Sequence, residues 1–519
     1  MNSFSKLDLE PLLNLSRDQI QLAVATVLGV VVSHRLAIII YRLWFHPLSK
    51  FPGPPLLAST NFPLQYLANV SGTWFKTVKK AHEKYGPVVR IGPNHLALDG
   101  VVGWPQAYGI RKAGEKEFPK FPDYFEGGNA NILSSDRESH RKLRKGMSGG
   151  FSETNLSEQG LTIEHYIGLL IDLVTRRTKE GKDVDIVKML NFTTFDIIGD
   201  LTYNDDFNSL QGDGGDGHHS WVLGLIEGVK GNAARRFGKF YPIFNPIVSW
   251  LWGSEIALTN EQNQMAGAKA FKRMEKGVIP PDGHKDFMTH MMRTAGGPAE
   301  SALSPLEMMM NCSVIVMAGS ETVATAMSGF FFYLHKNPQV YKILTKEIRE
   351  AYKDESEIDM KNASALPYLH AVIEETMRVY PPAVEVSPRA SPGAEVNGTW
   401  VPEGTGISVF QYSTFRNPDH FHDPNSFRPE RWLPASHPLH DPVFNKDNKS
   451  VFKPFSHGTR DCIGKTLAWF QMHLIATRML YRFDVEVAPG QDDWQSSQRV
   501  FIVWYKGPLK LILKPRIAI

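Results

Sequence analysis

The pattern of apolar and polar positions divides the chain early. Ile20 to Tyr41 is apolar except for Gln21, Ser33, His34 and Arg35, which predicts a helix of about 30 Å, enough to cross a bilayer. His34-Arg35 is costly inside a membrane, and tilting or snorkelling softens that cost. A helix lying on the membrane surface fits the same run. A cleaved secretory signal fits poorly, because Asp8, Glu10 and Asp18 precede the run and no small-residue cleavage site follows. Arg35, Arg42 and Lys50 follow it, which by the positive-inside tendency leaves the bulk of the chain in the cytosol. Phe51-Pro52-Gly53-Pro54-Pro55 then fixes the backbone and ends any helix.

Beyond the prolines, Val88–Gly92 and His95–Asp99 alternate around Gly92-Pro93-Asn94 and predict a hairpin. From about Ser135 to Arg378 the spacing is helical, interrupted by loops such as the glycine-rich Gln211–Gly217. Leu303–His335 predicts one long helix, apolar on most sides and therefore buried. Strands return at Gly406–Gln411 and across Phe501–Leu513. The expected fold is mainly α with small β-sheets at its edges. Its expected segments are a tail (1–19), a membrane anchor (20–41), a proline-rich hinge (42–55) and one folded domain (56–519).

Composition narrows the chemistry. The chain has 519 residues, 42% hydrophobic and 21% charged, with a net charge of +3. So small a charge implies no nucleic-acid partner. Its 2 cysteines, Cys312 and Cys462, exclude a disulfide framework, a cysteine-rich zinc site and a four-cysteine iron–sulfur cluster. Electrons for redox chemistry must then arrive through an organic cofactor or a partner protein. Cys312 lies in the apolar helix and is expected in the core. Sequons such as Asn155-Leu156-Ser157 carry no weight in a cytosolic domain.

Cys462 stands in Phe455-Ser456-His457-Gly458-Thr459-Arg460-Asp461-Cys462-Ile463-Gly464. One thiolate can hold a metal on one side and leave the other open. The glycines let backbone pass close to a flat ligand, Arg460 can neutralise an anionic group on it, and Phe455 can wall one face. These parts suit haem iron on a cysteine thiolate, a ligand that pushes electron density toward oxygen–oxygen bond cleavage. In the long helix, Ala318-Gly319-Ser320-Glu321-Thr322 places glycine and polar residues where apolar ones belong. Glycine would allow close approach to a haem face. Glu321 and Thr322 make an acid–alcohol pair able to deliver protons. A local hydroxyl bond to the preceding turn is the plainer alternative. Glu375 and Arg378 share a helix face before Pro381-Pro382.

The order Phe-x-x-Gly-x-Arg-x-Cys-x-Gly resembles the cysteine-ligand loop of the cytochrome P-450 haem-thiolate monooxygenases. The Gly319–Thr322 pattern resembles that family's oxygen-activation motif, and the resemblance runs through nearly the whole chain. It implies haem b with Cys462 as axial thiolate. It makes His140, Arg144, Arg389 and Arg460 propionate contacts, with Phe455 and Gly464 beside the haem. It assigns Gly319, Glu321 and Thr322 to oxygen activation, and Glu375, Arg378 and Arg431 to a buried structural triad. Electrons would come from NADPH through a cytochrome reductase, which Lys453 and Lys465 could attract. One atom of dioxygen would enter a lipophilic small molecule. The anchor and prolines resemble endoplasmic-reticulum members, and Tyr41–Pro54 resembles fungal ones acting on terpenoids or polyketides. Pocket walls would come from Phe118–Asn131, Met309–Ala318, Ala383–Val386 and Val500-Phe501, with Tyr124 and Glu385 orienting a substrate or facing solvent. A haem-thiolate isomerase or dehydratase, and a haem-binding protein without turnover, are the alternatives. The intact Glu321-Thr322 pair speaks against the first of these.

Overall fold

The computed structural model describes residues 16–112, 114–122, 124, 128–211, 219–295, 297 and 301–516. Among the described residues the first helix is Arg17–Ile40, with none of its residues buried. It begins before Ile20 because Ser16 and Gln19 form a reciprocal capping box. At 24 residues it is about 36 Å long. The backbone continues through a wider turn at Tyr41–Phe45 and becomes extended at His46, ahead of Pro47.

The proline segment is stitched to the hairpin by Arg90, which is 2% exposed. Its guanidinium donates to the carbonyls of Arg42 and Pro93, each at 2.8 Å, and its amide donates to the carbonyl of Pro52 at 2.7 Å. The hairpin strands are Val88–Gly92 and His95–Leu98. Gly406–Val409 runs parallel to the second, and Arg389–Ala390 completes a four-stranded sheet. This sheet lays residues 385–390 beside 118–121: Ala390 N–H donates to Pro119 O at 2.8 Å, and Phe121 N–H to Pro388 O at 3.0 Å.

The long helix spans Pro305–Lys336, opened by a Ser304–Glu307 capping box. Most of its residues are buried and it runs through the core, with Cys312 fully enclosed. It packs against the helix Ile186–Tyr203. Gly319 is explained by that contact: a Cβ there would lie 2.7 Å from Ile198 Cδ1. The glycine therefore admits a neighbouring helix. Helices His219–Phe240 and Asn245–Glu275 lie against each other, joined by a turn at Pro242–Phe244. The glycine-rich loop expected at Gln211–Gly217 lies outside the described residues after Gln211.

The strand expected across Phe501–Leu513 is divided. Arg499–Phe501 and Val503–Tyr505 form a tight hairpin with Ile502 at its tip, and Lys510–Pro515 joins a separate sheet with Phe483–Val487 and Val184–Asp185. The break falls at Ile502, whose φ is 80°, a backbone region a β-branched residue rarely adopts. Gly406–Gln411 is also shorter than its pattern, because Gln411 starts a helical turn, Gln411–Thr414.

Candidate active site

The cysteine loop is built on backbone bonds. Cys462 N–H donates to Phe455 O at 2.9 Å. Gly458 is required by its left-handed backbone (φ 83°) and by Tyr108, whose carbonyl oxygen lies 2.0 Å from where a Cβ would sit. Gly464 is not required by the protein: its Cβ would meet Cys462 Sγ and Phe151 only at 4.0 Å, an ordinary contact. Cys462 is accessible although protein surrounds it. Burial pushes its thiol up, against the Gly464 N–H and the charges of Arg144 and Lys465. Arg144 braces the loop from the helix Arg137–Ser148, donating to the Asp461 carbonyl and to its carboxylate at 2.6 Å. Its fork is engaged there. Phe455 packs on Trp469, with ring centroids 5.9 Å apart, and Lys465 lies 5.9 Å over the Phe455 ring.

Beside the loop, cations converge with too few anions. Arg389 has two buried nitrogens, Nε and Nη1, without partners, and Arg460 has one, Nη2. Arg460 otherwise bonds Glu117 at 3.1 Å and Ser135 O at 2.9 Å. Lys120, which the sequence did not single out, donates to Ser387 Oγ at 2.9 Å. Burial, then repulsion from Arg389 and Arg460, holds the Lys120 ammonium well below its ordinary range. His140 is lowered to about 3 by burial and by Arg460, Lys120, Arg144 and Arg389, so it is neutral at physiological pH. Buried, underpaired cations are expensive unless a ligand supplies negative charge. The cluster therefore fits a ligand bearing carboxylates, and Cys462 fits the metal such a ligand would carry.

The triad residues meet with all three side chains fully buried. Arg378 bonds Glu375 through Nε at 2.8 Å and Nη2 at 2.7 Å, and Arg431 Nε reaches the same carboxylate at 3.1 Å. Two further donors reach Glu375, Trp432 Nε1 at 2.9 Å and Arg428 N–H at 2.8 Å. A fourth charged residue, Asp447, pairs with Arg431 and makes the network neutral. Its segment leads toward the cysteine loop and is held by Trp104 Nε1 on Val451 O at 2.8 Å and Gln411 Nε2 on Lys453 O at 2.8 Å.

In the long helix, Thr322 Oγ1 donates to Ala318 O at 2.7 Å, the local bond to the preceding turn. Glu321 is 3% exposed and forms an ion pair with Lys506, itself 3% exposed. Thr325 Oγ1 contacts the same oxygen at 3.2 Å and Lys506 Nζ at 2.7 Å, while Glu321 Oε2 is buried without a partner. The acid of the motif is thus held by a lysine that follows the C-terminal hairpin. Removing one partner of a buried pair strands the other charge, at a cost of about 3–5 kcal/mol. Lys506→Met is expected to destabilise the protein on that scale. Adding Glu321→Met should recover most of the loss, and a double-mutant cycle by denaturant unfolding measures the coupling. Additive effects would show that the pair is not coupled.

A cavity is lined by Phe121, Pro122, Tyr124, Val384, Glu385 and Val500 among others. Three of the four expected walls contribute to it, and Met309–Ala318 does not. Trp74, Phe75 and Phe240 line it too, from segments the sequence did not single out. Tyr124 and Glu385 face this cavity rather than bulk solvent. Burial pushes the Glu385 carboxyl up to about 7, opposed by Ser408, Arg236 and Tyr124.

A mainly helical fold with one accessible, protein-enclosed thiol beside a cluster of underpaired cations defines a thiolate-ligated haem protein. Among the described residues no group of three or more His, Cys, Asp or Glu side chains is placed to hold a metal ion. The chain belongs to the cytochrome P450 family, which it matches over residues 52–513. It is 35% identical to the cytochrome P450 monooxygenase astJ of Aspergillus oryzae, over 92% of this chain and 94% of that one. The trichothecene C-15 hydroxylase of Fusarium sporotrichioides is 35% identical over 94% of this chain and 97% of its own. Averantin hydroxylase of Dothistroma septosporum is 35% identical over 94% and 91%. The protein is a cytochrome P450 monooxygenase by family, and the relatives named are monooxygenases and hydroxylases.

Proposed function

We propose that the protein is an endoplasmic-reticulum monooxygenase that inserts one atom of dioxygen into a lipophilic fungal secondary metabolite, a terpenoid or polyketide. The observation that carries this reading is the accessible Cys462 thiol beside unpartnered nitrogens of Arg389 and Arg460. Cys462 would ligate the iron, and His140, Lys120, Arg389 and Arg460 would hold the propionates. When bound, haem supplies dioxygen activation at the iron. Thr322 would hold a proton-donating hydroxyl over that site, and Glu321, once released from Lys506, would resupply it. The apolar cavity walls orient the substrate and exclude water.

The electrons would come from NADPH through a membrane-bound reductase docking on the side of Lys453 and Lys465. Arg17–Ile40 would be a single-pass anchor with the catalytic domain in the cytosol. Exposed Trp44, Phe45, Leu56, Ile243 and Trp250 would rest against the same membrane, since they lie on or near the anchor and the Pro242–Phe244 turn. The test is reconstitution in microsomes with a fungal reductase, NADPH and ¹⁸O₂. Averantin and a trichothecene lacking the C-15 hydroxyl serve as first substrates, after the names of two relatives. Product carrying one ¹⁸O atom is expected. Product formed with no ¹⁸O and no NADPH use would contradict the monooxygenase reading.

A further inference from the structure

Most polar groups in the cavity already have partners. Asn69 donates to Gln65 at 2.8 Å, His95 meets Ser408 at 2.8 Å, and Arg236 donates to the Tyr124 carbonyl at 2.9 Å. Glu385 is less well provided for. The Tyr124 hydroxyl is 3.5 Å from its Oε2, longer than a well-made O–H···O bond. Ser408, its other neighbour, is shared with His95. A carboxyl group in a mostly apolar cavity gains from a further donor, because a poorly bonded polar group there is costly.

The backbone presents this group rigidly. Val386 N–H donates to Val409 O at 3.0 Å, and Tyr412 N–H to Val384 O at 3.3 Å, with Glu385 bridged to Phe410 between them. Four residues on, Arg389 belongs to the cation cluster. An extended segment of that length is about 13 Å.

We propose that Glu385 is the specificity-determining residue of this pocket: it accepts a hydrogen bond from the substrate, which is a lipophilic molecule already carrying an alcohol or phenol. The proposal rests on the monooxygenase reading above and narrows its substrate class. It places the enzyme after a step that installs such a hydroxyl, by earlier hydroxylation, carbonyl reduction or aromatisation of a ketone. A site built to bond a hydroxyl discriminates strongly against the analogue that lacks it.

The test uses the full-length haem-loaded protein and two matched pairs, farnesol against farnesene and 2-naphthol against naphthalene. Binding is followed by calorimetry and by the shift of the Soret band. The alcohols are expected to bind at least about tenfold tighter than their partners, which corresponds to one charge-assisted hydrogen bond. Glu385→Leu should bind both members of each pair alike. If that variant fails to fold, Glu385→Gln, which keeps the shape and a weaker acceptor, is expected to lose about half of the preference on a logarithmic scale. Equal binding of both members to the wild type, no binding of either alcohol, or an unchanged preference in the variant overturns the proposal. A failure of the haem-thiolate reading shows separately, as an absent thiolate carbonyl band in the wild type, while calorimetry still reports on Glu385.

Discussion

Glu375→Gln is expected to lose about 3–5 kcal/mol of folding stability, a large share of the total. Its carboxylate is fully buried and receives five donors from Arg378, Arg431, Trp432 and the Arg428 backbone. An amide in its place leaves two buried guanidinium groups facing Asp447 alone, and turns one accepting oxygen into a donor aimed at donors. Breaking such a network costs about 3–5 kcal/mol, against a total stability of about 5–15 kcal/mol. Burial alone would raise the Glu375 pKa, but Arg378 and Arg431 outweigh it and hold it below the ordinary value. Its contribution is therefore present above the unfolded pKa and is lost as pH falls through the lower folded one. Glu374 is the control. It is partly exposed, and burial pushes it up to about 7, so near pH 7 it is already partly neutral. Glu374→Gln is expected to change stability by less than about 1 kcal/mol. Denaturant unfolding of both variants checks this, and equal effects would contradict the assignment of Glu375 as the keystone.

Cys462→Ser is expected to have the opposite profile: an intact fold and activity at background. The loop is held by Cys462 N–H on Phe455 O, Arg144 on Asp461 and Gly458 beneath Tyr108, and none of these uses the sulfur. Serine replaces the thiol at small steric cost, but its hydroxyl is far less acidic and a poor anionic ligand for iron. The unfolding midpoint of the apo-variant should lie within a few degrees of the wild-type apoprotein, while haem retention and product formation collapse. Substantial monooxygenase turnover in Cys462→Ser would remove the thiolate from the account.

Local pattern made much of this structure legible. The Val88–Leu98 hairpin follows from alternation about Pro93-Asn94, and the Pro305–Lys336 helix from its apolar run. The pair Glu375 and Arg378 follows from i, i+3 spacing. What local pattern hid is long-range. Lys120 is one lysine between Phe118 and Phe121, and only the pairing with Arg389 shows its place. Lys506 lies 185 residues from Glu321, and nothing in its neighbourhood marks it as that acid's partner. Asp447 belongs to a loop of ordinary polar composition. The motif glycines were conspicuous, but their reasons were not: Gly319 makes room for Ile198 and Gly458 for the Tyr108 carbonyl. Ile502 stands at the tip of a tight hairpin, which overrides the preference of a β-branched residue.

The measurement that bears most directly on the account is the absorption spectrum of the dithionite-reduced protein under carbon monoxide. A strongly red-shifted Soret band, present in the wild type and absent from Cys462→Ser, is the expected result. Folded protein that holds no haem, or whose carbonyl band is of the histidine-ligated type, would contradict it.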